Sequence, residues 1–223
     1  MISVAIDGPA GAGKSTIAKT ASARLGFIYV DTGALYRAIG FHVVSSGANV
    51  DDEKSVVECL PNIKIELKFI DGVQHVFVND ADVSDKIRTE EISSCASKVS
   101  AIPKVREFLL DMQRNFAKTN NIVMDGRDIG TVVLPNAQVK IFLTASAEER
   151  ATRRYEEQIA RGLDVKYDDI LADIKERDYR DSHREVAPLK PAADSVYLDT
   201  TGNTVEQSIQ AVVDIIEQKI KEL

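Results

Sequence analysis

The chain has 223 residues and a formal net charge of −7, from 28 Lys and Arg against 35 Asp and Glu. That length can bury a sizeable core, and the acidic balance excludes a generic nucleic-acid binder, whose affinity rests on an excess of Lys and Arg. The two cysteines have neither metal-ligand nor CxxC spacing, no secretory leader is evident, and no apolar run approaches the roughly 18 residues that span a bilayer; the expectation is a cytoplasmic protein with no membrane and no nucleic acid among its partners.

The apolar, β-branched run Ile2, Val4, Ile6 predicts a first strand. It leads into Gly8-Pro9-Ala10-Gly11-Ala12-Gly13-Lys14-Ser15, which matches G-x-x-x-x-G-K-[ST], and a helical pattern (Ile17, Ala18, Ala21, Leu25) leaves it, with Gly26 where a helix stop belongs. A polyphosphate needs many N–H donors aimed at one concavity. Glycines at 8, 11 and 13 let the backbone curl close, the next helix points its positive end at the same anion, Lys14 adds a charge for the β- and γ-phosphates, and the Ser15 hydroxyl is a candidate Mg2+ ligand.

Phe27–Val30 reads as a second strand, ending in Asp31-Thr32-Gly33-Ala34-Leu35-Tyr36-Arg37. Asp31 or Thr32 caps the next helix. Arg37 lies one turn into it, either as a solvated surface group or as a clamp on a second phosphate, the latter favoured because ligands bind at the carboxyl ends of parallel strands. Residues 45–62 read as loop and a short helix. Lys64–Phe69 and Gln74–Val78 then alternate strictly around Asp71-Gly72, which predicts an antiparallel hairpin inside a β-rich insert at about 63–84, with His75 in a surface or cross-strand role. Residues 85–119 read as helical with a break at Ile102-Pro103; Ser97 and Arg106 lie near that break, and each taken alone reads as a surface residue.

Ile122–Met124 reads as a buried strand ending in Asp125-Gly126-Arg127-Asp128. An Asp at such a strand end commonly stands near Mg2+ in P-loop proteins, Arg127 follows where a substrate phosphate could sit, and Asp128 suits either an Arg partner or a substrate amino group. Val139–Leu143 is a further strand. Ser146 and Glu149 resemble a capping box for a helix that carries Arg150, Arg153 and Arg154. On the helix from about Tyr167 to Arg184, residues Arg177, Asp181 and Arg184 share one face, either as a salt-bridged surface or as a lid bearing several Arg over the transferring phosphoryl group. Ser195–Leu198 reads as the last strand, and Thr204 caps a final amphipathic helix.

Strands alternating with helices predict an α/β fold: a parallel sheet flanked by helices and interrupted by the small antiparallel β insert. The expected organisation is a single P-loop domain over 1–223, with a core from 1–35, 103–146 and 186–223, a region at 36–102 that includes the β-rich insert at 63–84, and a lid with Arg-bearing helices at 147–185. A hydrolase needs one Arg finger and a positioned water, whereas Arg spread over several segments favours transfer between two phosphate-bearing partners.

Gly8–Ser15, Asp31–Arg37, Asp125-Gly126-Arg127-Asp128-Ile129-Gly130-Thr131, Lys175-Glu176-Arg177-Asp178 and Ala187-Pro188-Leu189 together resemble the bacterial cytidylate (CMP/dCMP) kinase family, from the first strand to the last helix. The resemblance implies a P-loop kinase-type sheet with the small antiparallel β insert in the monophosphate-binding region and a short lid, and transfer of the γ-phosphoryl of ATP to CMP or dCMP with Mg2+, by a direct in-line step without a covalent intermediate, in a monomer. It implies that Gly8, Pro9, Ala10, Gly11, Ala12, Gly13, Lys14, Ser15, Thr16 and Arg153 bind ATP. Thr32, Arg37, Arg127 and Arg177 would hold the CMP phosphate side, Ser97, Arg106 and Asp128 would read the cytosine edge, and Asp181 would reach the sugar. Lys14, Arg127, Arg177 and Arg184 would act on the transferring group, and Ser15 and Asp125 on the metal. A UMP- or shikimate-type P-loop kinase is the alternative, and a P-loop GTPase switch a more distant one, since no N-K-x-D guanine reader is present.

Overall fold

The computed structural model describes residues 1–70 and 72–223. Its elements are β1 (Ser3–Asp7), α1 (Lys14–Leu25), β2 (Ile28–Asp31), α2 (Thr32–Ser45), α3 (Glu53–Cys59), β3 (Ile65–Ile70), β4 (Val73–Val78), β5 (Ala81–Asp82), α4 (Glu90–Val99), α5 (Pro103–Thr119), β6 (Ile122–Gly126), β7 (Val139–Thr144), α6 (Ala147–Ala160), α7 (Tyr167–His183), β8 (Val196–Asp199) and α8 (Val205–Lys221). The chain forms two compact units, Met1–Tyr29 with Asn120–Leu223, and Val30–Thr119.

The five-stranded sheet has the order β2-β6-β1-β7-β8, with β1 parallel to β6 and β7, and β7 parallel to β8. Parallel strands are covered on both faces, which explains their near-continuous apolar runs. Val4, Ile6, Val123, Ile141 and Leu143 share one core with Ile17 and Ala21 of α1 and with Ile209, Val212 and Ile216 of α8. Gly26 stops α1 in the left-handed conformation, where its N–H meets the Ala23 carbonyl. At α8, Thr204 and Gln207 cap each other reciprocally. The predicted box at α6 is only half made: Ser146 accepts from the Glu149 N–H, but the Glu149 carboxylate binds Arg153 one turn on, at 2.9 Å. A charged partner at i+4 competes successfully for that side chain. α6 and α7 pack on each other through Ala151, Ile170 and Ile174, with Tyr155 and Tyr167 edge to face.

In the second unit, Leu35, Ile39 and Val43 of α2 join Val99 of α4, Val105 and Leu109 of α5, and Val76 and Val78 of β4 in one core. β3 and β4 form the expected antiparallel pair, and β5 adds a third, two-residue strand that the alternation did not reveal, because two residues carry no period. Asp71 of the expected turn lies outside the described residues. His75 is cross-strand, its Nδ1 2.8 Å from Asp82. Pro103 opens α5, where its missing N–H costs nothing. No helix among the described residues is long and apolar enough to cross a membrane.

Candidate active site

In the first unit the site grows from the carboxyl end of β1. Gly8 has a φ of 154°, and a Cβ there would lie 1.9 Å from the Leu143 carbonyl oxygen, so the loop closes on β7 only with glycine. Gly13, also left-handed, leads into α1, whose first residue is Lys14. Lys14 is 5% exposed and its Nζ donates to the Pro9 carbonyl at 2.6 Å, lacing the loop across itself. Burial, with the Arg127 charge adding, pushes its ammonium well below the usual lysine range, against the pull of Asp125, Asp181 and Asp7.

Ser15 and Asp125, paired in the sequence reading only by expected role, meet in space. The Ser15 hydroxyl donates to Asp125 Oδ2 at 2.9 Å. The Tyr29 hydroxyl donates to Oδ1 at 2.8 Å, an orienting contact that no motif announced. Two hard oxygen donors suit Mg2+, which takes one or two protein ligands and completes its shell with waters and substrate phosphates. Among the described residues no cluster of three or more His, Cys, Asp or Glu could hold a metal by itself.

The turn after β6 brings the second group together. Arg127 donates through Nε to Asp181 of α7 at 2.9 Å and through Nη1 to the Gly126 carbonyl at 3.2 Å. Burial alone would raise Asp181, but Arg127 and the neighbouring Arg177 and Arg184 hold it below the usual carboxylate range. Arg177 is pushed down to about 10 by burial and by the charge of Arg127, and its buried Nε has no hydrogen-bond partner. Arg184 stands just past the end of α7. Its Nε donates to the Ala187 carbonyl at 2.7 Å and its Nη2 lies 3.6 Å from Asp128, so Asp128 faces an Arg here. Arg153 pairs with Glu149 close to Gly13. These cations outnumber the carboxylates among them, an arrangement that an incoming polyanion would complete.

Asp7 was not singled out from the sequence. It is 4% exposed and accepts from the N–H groups of Ile129 at 2.7 Å and Gly130 at 2.8 Å, tying the root of the phosphate loop to a π-helical turn, Ile129–Val133, beyond Arg127 and Asp128. A lone Asp at a strand end gives no sequence signal for that reach of more than a hundred residues. Burial pushes its carboxyl from 3.8 to about 6, with Asp128 adding, while the two N–H groups and Lys14 pull it down. The native carboxyl therefore takes up a proton more readily than the unfolded one, and the stability this contributes is present below pH 3.8 and lost as pH rises through about 6. The Asp7→Asn protein is expected to gain on the native chain by about 3 kcal/mol between about pH 4 and pH 7. Denaturant titrations of both across that range measure the gap, and a gap independent of pH would show that Asp7 does not titrate as its burial demands.

The second unit holds Thr32, Arg37, Ser97 and Arg106. Asp31 is the helix cap, accepting from the Ala34 N–H, and its other oxygen takes Arg37 at 2.7 Å. Thr32 is the buried first residue of α2. Gln74 of β4 accepts from the Asp31 N–H at 3.0 Å, so the insert braces the turn that holds Arg37. Arg106 is buried, not at the surface as its polarity alone suggested; it donates to the Ser100 carbonyl at 3.0 Å and lies over the Tyr36 ring. Ser97 is half-buried one turn before Ser100, whose hydroxyl donates to its carbonyl.

The sequence pattern of the cytidylate kinase family matches residues 4–218. The chain belongs to the cytidylate kinase family. Among its relatives, a cytidylate kinase of Caldicellulosiruptor bescii is 50% identical over 220 residues, covering 99% of this chain and 97% of the relative. One of Ligilactobacillus salivarius is 47% identical over 218 residues, covering 98% and 97%. At the level of fold, this family member resembles the crystal structure of an uncharacterized protein from Eubacterium ventriosum, with a TM-score of 0.54 at 12% identity, covering 97% of this chain and 99% of that one.

Proposed function

We propose that this chain transfers the γ-phosphoryl group of ATP to CMP or dCMP, giving ADP and CDP or dCDP. The observation that carries the reading is a cluster of cations built next to a phosphate-binding loop, buried Lys14 with half-buried Arg127 and Arg177, in a chain of the cytidylate kinase family. Lys14 and the loop backbone from Gly8 to Thr16 bind ATP, with Arg153 beside them. Arg37, Arg127 and Arg177 hold the acceptor phosphate, with Thr32 near it. Ser97, Arg106 and Asp128 read the base, and Asp181 reaches the sugar. Ser15 and Asp125 hold Mg2+, which when bound neutralises phosphate charge. The acceptor is already an anion, so direct in-line transfer needs no strong general base, and Arg184 meets charge as it moves between the phosphates. Closure of the segment 147–185 over the phosphates would exclude water and suppress hydrolysis.

The family resemblance points to a monomer, with the whole chain as one kinase domain. Its two cysteines are free, which suits a reducing cytoplasm. The test is ADP release from ATP and Mg2+ with CMP, dCMP, UMP, AMP, GMP or shikimate, each offered alone. Fast turnover with CMP and dCMP only is expected. Equal turnover with UMP would remove the cytosine-reading roles, and turnover with shikimate instead would overturn the reading.

A further inference from the structure

Arg150 lies on α6, and nothing in its immediate sequence marks it out from Arg153 and Arg154. The structure does. It is 4% exposed, and one guanidinium joins three segments. Its Nε donates to the Ala145 carbonyl at 2.9 Å, Nη1 donates to the Ala10 carbonyl at 3.0 Å, and Nη1 and Nη2 grip Asp178 of α7 at 3.1 and 2.6 Å. A Cβ on Gly11 would lie 3.6 Å from the Arg150 Cβ, so the stem of the side chain also fills the space under the phosphate loop.

The consequence follows from the planarity of the peptide bond. The Ala10 carbonyl and the Gly11 N–H belong to one rigid plane and point in opposite directions. A donor that grips the carbonyl on one side therefore aims the N–H to the other. A loop that turns its N–H groups toward an anion must turn carbonyls outward, and each buried outward carbonyl needs a donor of its own. We infer that Arg150, locked by Asp178, is a positioning residue that orients the Ala10–Gly11 peptide and so presets the phosphate loop for ATP. Asp178 supplies the counter-charge that makes a buried guanidinium tolerable and fixes its plane. The inference rests on the ATP-binding role of that loop.

The experiment is steady-state kinetics of Arg150→Lys and Asp178→Asn, with ATP and CMP varied separately and melting temperatures measured alongside. An ammonium cannot reproduce the planar fork that serves two carbonyls and a carboxylate. We expect KM for ATP to rise about tenfold to a hundredfold in Arg150→Lys, and in the same direction in Asp178→Asn, with KM for CMP changed less than about twofold. A lowered melting temperature with KM for ATP unchanged in both variants would overturn the inference, since a group that merely holds the fold together has no reason to discriminate between the two substrates. Should Arg150→Lys fail to fold, Asp178→Asn, which keeps the volume of the side chain, decides by the same split. Lys14→Met run in parallel separates the two failures. An impaired Lys14→Met beside normal Arg150 and Asp178 variants overturns the positioning role alone, and a normal Lys14→Met overturns the ATP-binding reading together with it.

Discussion

Lys14→Met is expected to lower kcat by about 10²–10³-fold, the scale of losing one preorganised charge from a transfer site. The native ammonium is buried and donates to the Pro9 carbonyl, and burial holds it well below the usual lysine range. In stability terms the charge is a burden that the fold carries for the sake of a ligand. A thioether of similar length removes that burden, so the melting temperature is expected to hold while turnover collapses, the usual direction where a site is built against stability. Coupled ADP-release kinetics and thermal melts measured on one preparation check both halves. Activity and melting temperature falling together would mean that Lys14 mainly supports the loop.

Arg127→Ala is expected to cut kcat/KM for CMP by about a hundredfold, or about 2.7 kcal/mol. Two effects add. The variant loses a cation from the group we assign to the acceptor phosphate, and it leaves Asp181, 6% exposed, without its hydrogen-bonded partner. Arg127→Lys is expected to recover little, because the native side chain uses separate edges of the guanidinium for Asp181 and for the Gly126 carbonyl. The control is KM for ATP, expected to move far less than KM for CMP. A larger effect on ATP than on CMP would reassign Arg127 to the donor side.

Short motifs with a local mechanism were legible in the sequence. Gly8–Ser15 announces a phosphate cradle by its own glycine and lysine spacing, and the strand before it and helix after it follow from apolar spacing within a few residues. The hairpin at β3 and β4, the start of α5 at Pro103 and the cap of α8 at Thr204 are local in the same sense. Contacts with long sequence separation were not legible. The reach of Asp7 to Ile129 and Gly130, of Tyr29 to Asp125, and of Arg150 to Ala10 and Asp178 is set by which strands lie side by side, and nothing in the neighbouring residues records it. Arg106 makes the same point from the other direction. Its polarity suggested solvent, yet packing buried it over Tyr36.

By itself the sequence determined the phosphate loop, the alternation of strands and helices, the β insert and the residue types for a two-phosphate chemistry, because each of these depends on neighbours within one or two turns. Only the tertiary structure decided which charges meet. The parallel order β6-β1-β7 sets the carboxyl ends of three strands together, and that placement pairs Ser15 with Asp125, Arg127 with Asp181 and Arg184 with Asp128. The physical reason is that burial converts weak surface charges into strongly coupled ones, and burial is a property of the packed strands and helices rather than of any short stretch of chain.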